Sequence, residues 1–523
     1  MALRHELMNV AQRLERTTGG FIDENMRPFQ SSNGRALTQA KPEMAAFPGD
    51  VVAQLEQAFR PAGDDSFRGF GCRRDMRLDR ASEVEAPLNR SPDHGLHSDR
   101  SHWFDILAAV KRLAVVALFV FAAAGCGQSQ ASQSQDLVLG AIYPLSGPQA
   151  PGGRQELAGV RAALAVAQAS GTLKGHVRLQ VIDATTPQDA SAAVDTLVHD
   201  YHVPAILGTY GSTLSTAASA RAEELKTVYW ETGAVADPIT AQRRYVFRTV
   251  ATGSALGRMA VTFTHDVLLP AMKLDAPRAV VVRVNDVYGR SVGGGEEALA
   301  KTMGIQVVDV IEYDPNAFVP DVIAARLAAD RADFLWDVSY LSDGVAIWQA
   351  VLRNHVALRA AIGTSSAFCM PAFGQLLGAG SVGVYAADKP DAQISQAALS
   401  PAGVALLAKA RAAYSQSNNG DPMDIPAVAG FVGGWTFFSA VIPKLSGTIN
   451  ADTIRSAALL VDIPAGDSIN GGGVKFGADG SLDEGQNTRA AAVIGQWQAV
   501  GVMKVVYPAA YATGKPIGSS YGT

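Results

Sequence analysis

The stretch LGTYGSTLSTAAS (207–219) sets a serine, Ser212, where an apolar run, a glycine turn and an amphipathic segment meet. A strand-to-helix turn of this kind presents the unpaired N–H groups and the positive dipole end of a helix, which suit a carboxylate. Ser212 reads as an N-cap or near-cap, and a plain cap without a ligand is the alternative. Catalysis finds less support. The sequence holds no G-x-S-x-G elbow and no P-loop lysine motif. His199 and His202 stand three apart at a helix end, without a third ligand of suitable type nearby, and read as solvated or capping. The glycine runs Gly293–Gly295 and Gly471–Gly473 read as flexible turns. Cys369, a lone thiol in SAFCMP, reads as packing. No enzyme activity, metal or cofactor is expected.

Composition narrows the class. The chain has 523 residues, 48% hydrophobic and 18% charged, with a formal net charge of -5. That length suits two to four domains. A mildly acidic balance offers no footprint for nucleic acid. Cys72, Cys126 and Cys369 are too scattered for a disulfide framework or a zinc site. No run of about 18 apolar residues is present, so no transmembrane helix is expected.

One shorter run matters. Lys111 and Arg112 precede the apolar stretch Leu113 to Ala124, and small residues then lead to Cys126. This is the layout of a secretory signal peptide over 110–126. Its ending resembles a bacterial lipobox, although Ala123 stands where leucine is preferred. Cys126 would then be the lipidated residue and 127–135 a polar Gln/Ser-rich tether. A buried core helix is the alternative. Residues 1–109 are expected to be a non-native or disordered extension, the true start lying at Met76 or Val110.

After Gln135, apolar runs alternate with amphipathic segments. A strand and its following loop are expected over 137–147, and strands over 176–184, 203–208, 227–233, 279–286, 305–313, 332–339 and 359–366. Helices are expected over 155–170, 187–198, 213–225, up to Lys301, 322–329 and 344–354. Such alternation implies parallel sheets built from βαβ units, here in two series.

The opening LVLGAIYPLSGPQAPGG followed by QELAGVRAAL resembles that of the branched-chain amino-acid-binding proteins, which are type I periplasmic binding proteins. The later landmarks VIDATTPQDASAAV, VPAILGTYGSTLSTAAS, VYWETGAVADPIT, YVFRTV, VVVRVNDVYGRS and DFLWDVSYLSDG follow in the same order, from Asp136 to Tyr507. The resemblance implies an α/β fold of two Rossmann-like lobes with parallel sheets, joined by a three-strand hinge. Lobe 1 would be 136–250 plus 388–488, and lobe 2 would be 251–387 plus 489–523. The hinges would fall near Thr249, Ala387 and Asn487, and the lobes would close around a ligand.

The resemblance also assigns site residues. Ser212 would bind the ligand α-carboxylate, and Gly233 would contribute backbone groups from a second clamp. Val235 stands where the family has a threonine, which removes a head-group hydroxyl. Tyr288 and Tyr340 would line the cleft from lobe 2. Glu231 and Trp230 precede the clamp, as ligand-facing residues or, for Trp230, as core. Ser365 stands near the place of a family glutamate that pairs with the ligand ammonium. Either Asp337, Glu231 or another acid replaces that glutamate, or the ligand has no ammonium. The implied partners are a small-molecule ligand, an ABC permease in the inner membrane, and a membrane reached through the lipid anchor. A monomer is expected. The alternative use of the same fold is a ligand sensor or a regulator of an envelope enzyme.

Overall fold

The computed structural model describes residues 136–173 and 175–518, all within the second of two compact units, Lys111–Thr523. The expected signal peptide, Cys126, the tether and the extension 1–109 lie outside the described residues.

Two sheets organise these residues. The first has five parallel strands in the order β2-β1-β3-β4-β5. They are β1 (Leu137–Tyr143), β2 (Val177–Asp183), β3 (Ala205–Gly208), β4 (Val228–Glu231) and β5 (Val246–Arg248). Helices α1 (Ala150–Ala169), α2 (Pro187–His199) and α3 (Ser212–Glu224) make the crossovers. Alternate strand residues serve opposite faces, as pleating requires. Leu139, Ala141, Tyr143 and Trp230 join the core under α1, while Ile142, Ile206 and Tyr229 join the core under α2 and α3. Both faces are covered, so the strands read as near-continuous apolar runs.

The second sheet runs β14-β13-β10-β9-β8-β6-β7. Its parallel part is β6 (Arg278–Val284), β7 (Gln306–Tyr313), β8 (Phe334–Val338), β9 (Ala360–Thr364) and β10 (Tyr385–Asp388). The hairpin β13 (Val493–Ala499) and β14 (Val502–Tyr507) adds antiparallel strands at the edge. Its helices are α4 (Gly253–Phe263), α5 (Val287–Met303), α6 (Pro320–Asp330), α7 (Leu341–Arg353) and α8 (Pro371–Leu377). Between β10 and β13 the chain returns to the first sheet. There α9 (Pro401–Ser417), α10 (Ile425–Thr436) and α11 (Ala451–Leu459) share a core with α1, beside the short pair β11 (Asp462–Ile463) and β12 (Val474–Lys475).

The chain therefore passes between the sheets three times, and two passages are laced together. Arg248 N–H donates to the Gly485 carbonyl at 2.8 Å, and Asn487 N–H donates to the Arg248 carbonyl at 2.9 Å. The Gln486 and Asn487 side-chain amides donate to the carbonyls of Val250 and Thr249.

Two readings change at this level, and one apolar helix needs placing. Gly293–Gly295 do not form a turn; they lie inside α5. A Cβ at Gly295 would stand 2.3 Å from the Ser254 carbonyl oxygen, and one at Gly257 2.2 Å from that of Val292. Small residues let α4 and α5 touch backbone to backbone. Helix α1 starts at Ala150, five residues before the expected start at Gln155, because Pro151 fits a first helical turn. Finally, Ile425–Lys444 is 20 residues long with a mean hydropathy of 1.7, enough by length and composition to cross a membrane. Its window is 78% buried, and Gly159 of α1 packs against its backbone, as befits a core helix. Scattered glycine, threonine and serine hide it from a search for unbroken apolar runs.

Candidate functional site

Loops leaving the carboxyl ends of both sets of strands meet in one cleft, the usual place for a ligand in such sheets. Four contacts join its walls. Thr213 Oγ1 donates to Asp286 Oδ2 at 3.1 Å. Asp237 N–H donates to Ser291 Oγ at 3.0 Å. Tyr210, after β3, hydrogen-bonds Ser366, after β9. Lys389 Nζ, just past β10, donates to the Gly233 carbonyl at 3.4 Å. The cleft is thus closed.

From the first sheet, Gly211 takes the N-cap of α3 with φ 96°, and Ser212 is the first helical residue, 3% exposed. Its hydroxyl accepts the Ala236 N–H at 3.1 Å, which leaves the hydroxyl proton to donate. Glu231 closes β4, and its carboxylate is consumed locally. Oε1 accepts the N–H groups of Gly233 and Ala234 at 2.7 Å each, and Oε2 accepts Thr209 N–H and the Ser215 hydroxyl. Burial raises the Glu231 carboxyl above the usual range, and these donors hold it down in part. Glu231 is therefore a clasp for its own loop and is not free to replace the missing glutamate. The same bond takes up the Gly233 N–H, leaving its carbonyl as the group facing the cleft. Val235 is buried in the core, with its carbonyl accepting Gly253 N–H. Trp230 is core, ringed by Phe247, Phe437 and Phe476, with Nε1 donating to the Gly433 carbonyl.

From the second sheet, Tyr288 and Tyr340 lie ring to ring at 5.3 Å. The Tyr288 hydroxyl donates to the Thr364 carbonyl and the Tyr340 hydroxyl to Asp286 Oδ2 at 2.7 Å. Ser365 is 3% exposed, and both it and Ser366 hold positive φ, 40° and 34°. Non-glycine residues pay for that backbone, and strain of this kind gathers at ligand clamps. Asp337 lies within β8, its Oδ1 bonded to the Ser339 hydroxyl, and the charges acting on it are those of Asp343 and Glu296. Its Oδ2 has no partner.

Two groups escaped the sequence reading. Glu156 of α1 is 1% exposed; Oε1 accepts the Thr232 hydroxyl at 2.6 Å, and Oε2 has no partner. Burial, then the charge of Glu231, pushes its carboxyl up. A Cβ on Gly233 would stand 1.8 Å from Oε2, so only glycine lets the two approach. The signal was a charged residue on the buried stripe Gly152, Gly153, Glu156, Leu157, Val160. Lys389 is 7% exposed and carried no signal beyond its place at a strand end. Beside the cleft, a cavity of about 320 Å³ opens between Arg154 and Gln155 of α1, Pro371 and Gln375 of α8, and Tyr414 and Asn418 of α9. Among the described residues no group of three His, Cys, Asp or Glu is placed to hold a metal ion.

Comparison with known proteins agrees with this geometry. Residues 136–499 match the periplasmic binding protein family model. The Leu/Ile/Val-binding protein homolog 8 of Brucella abortus (strain 2308) is 30% identical over 378 residues, covering 71% of this chain and 91% of that protein. A leucine-binding protein of Thermotoga maritima superposes with a TM-score of 0.60 at 16% identity, covering 71% of this chain and 97% of that one. An ABC-transporter solute-binding protein of R. palustris, solved with benzoate, superposes with a TM-score of 0.59 at 16% identity, covering 74% and 99%. With two α/β sheets whose strand ends close on one cleft, and a family match over most of its length, the chain belongs to the periplasmic binding proteins.

Proposed function

We propose that this protein captures a small polar ligand, an amino acid or a related carboxylate or amide, and delivers it to an ABC permease in the inner membrane. The observation that carries the reading is the closed cleft itself, bridged by Thr213–Asp286 and Asp237–Ser291 at the strand ends. Contacts of that kind are what hinge closure around a ligand makes. The lobes are taken as 136–250 plus 388–488 and 251–387 plus 489–523, with hinges near Thr249, Ala387 and Asn487. Ser212, the Gly233 carbonyl, Tyr288, Tyr340 and Ser365 form the ligand shell, with Val235 behind it. Export to the periplasm and lipidation at Cys126 complete the reading. The names of the relatives, which include leucine, isoleucine and valine, support a small carboxylate.

Thermal shift of the full chain against amino acids, amides, aliphatic carboxylates and aromatic acids tests this. A ligand bound only by the folded state must raise Tm by mass action, with a gain of about 2.7 kcal/mol at a hundredfold excess over Kd. A shift that is lost in Ser212→Ala supports the reading; the absence of a shift across the panel refutes it.

A further inference from the structure

Lys389 stands apart from everything else in the cleft. Its ammonium is buried and reaches three acceptors: Asp388 Oδ1 at 3.2 Å, Ser365 Oγ at 3.3 Å and the Gly233 carbonyl at 3.4 Å. The first two belong to the second sheet and the third to the first, so the charge sits on the seam where the walls close. Burial works against the charged form, but the neighbouring acid groups, Asp388 first, more than compensate, and the lysine is held above its usual value. The cation is present at neutral pH. Two acid oxygens at the seam remain without partners, Glu156 Oε2 and Asp388 Oδ2. Burial, then the charge of Glu231, raises the Glu156 carboxyl to about 8.

This arrangement has a consequence for ligand chemistry. Ser365 offers a hydroxyl and no carboxylate on the second-sheet side of the seam. The hydroxyl there and the opposite backbone carbonyl are both engaged by the protein's own ammonium. A second ammonium at the seam would compete with Lys389 for the hydroxyl and the carbonyl, would have only the second oxygen of Asp388 and Glu156 Oε2 left to it, and would meet a like charge in a medium that screens poorly. An anion brought to the same place meets the Lys389 charge.

Resting on the solute-binding reading above, we propose that Lys389 is the head-group cation of this cleft, and that the ligand class is carboxylates lacking an ammonium group. The side chain stands in for the ammonium that an amino acid would bring. The paired rings of Tyr288 and Tyr340 suit an aromatic or branched body for such an acid.

Matched pairs test the idea on the full chain by isothermal titration. The probes are leucine against 4-methylpentanoate, and phenylalanine against 3-phenylpropanoate, with benzoate added. The expected result is that the ammonium-free member binds at least about tenfold more tightly, the scale of one charge-assisted hydrogen bond. Lys389→Met should weaken the carboxylate by about tenfold or more, and Lys389→Arg should retain most of its affinity. The wild-type comparison needs no variant, so a misfolded Lys389→Met does not blunt the test. Tighter binding of leucine or phenylalanine than of its ammonium-free partner overturns the assignment and leaves the solute-binding reading standing. Carboxylate affinity unchanged in folded Lys389→Met overturns it as well. Failure of every acid, amino acid and amide to bind overturns both.

Discussion

Glu296 offers a sharp test of the electrostatics under the second lobe. It lies in α5 against α4, fully buried, and neither carboxylate oxygen has a partner. Burial pushes its carboxyl up to about 8, with partial relief from Arg283 and a small added push from Glu297. The folded state therefore keeps a proton that the unfolded chain releases near the ordinary glutamate value. Between those two values the unfolded state binds fewer protons, so stability falls as pH rises through the window from about 4.5 to about 8. At pH 7 the ionisation penalty amounts to about 3 kcal/mol, at about 1.4 kcal/mol for each unit between the unfolded value and the working pH. Glu296→Gln replaces a neutral acid by an amide of similar shape and similar desolvation, and removes only the ionisation step. The expected gain is about 3 kcal/mol at pH 7, vanishing near pH 4, and a Tm rise of about 4 °C for a chain of this size at pH 7. Urea unfolding at several pH values measures it. A variant no more stable than the parent at pH 7.5, or a difference that does not vary with pH, would falsify the reasoning.

Other outcomes follow from named contacts. Gly257→Ala brings a Cβ to 2.2 Å from the Val292 carbonyl oxygen, and should cost about 1–3 kcal/mol by urea unfolding. Arg248 is fully buried and donates to Gln486 Oε1 and the Ala236 carbonyl, with burial lowering its guanidinium to about 10. Arg248→Met should therefore lose about 3–5 kcal/mol, since it strands partners at the crossing and removes a charge that helps hold the Glu231 carboxyl down. Ser212→Ala should cost about 1 kcal/mol of stability through the orphaned Ala236 N–H, and at least about tenfold in ligand affinity by titration calorimetry.

The alternation of strand and helix was readable because parallel strands covered on both faces are nearly continuous apolar runs, as in LVLGAIY and RAVVVRV. What misled was local chemistry whose meaning depends on a distant neighbour. Three consecutive glycines look like a turn until α4 is laid against them. Glu231 looks like a ligand for a cation until its loop folds back and offers two N–H groups to one oxygen. Glu156 is off-pattern within its own helix and was open to detection. Lys389 was not, because its three acceptors come from residues 233, 365 and 388, and their meeting is a property of the closed cleft.

The return of the chain to the first sheet bears on the order of assembly. Trp230 Nε1 donates to a carbonyl 203 residues further along, and α1 is covered by α10 from the same late segment. The amino-terminal sheet therefore cannot bury its larger face while the chain is being made; the apolar stripe of α1 and the Trp230 ring wait for residues beyond 400. Loop closure over such a span adds little to the equilibrium cost but slows the search. A half-synthesised chain is a sticky one, and a polypeptide whose first sheet is sealed by its last quarter stays incompletely folded until synthesis is nearly done.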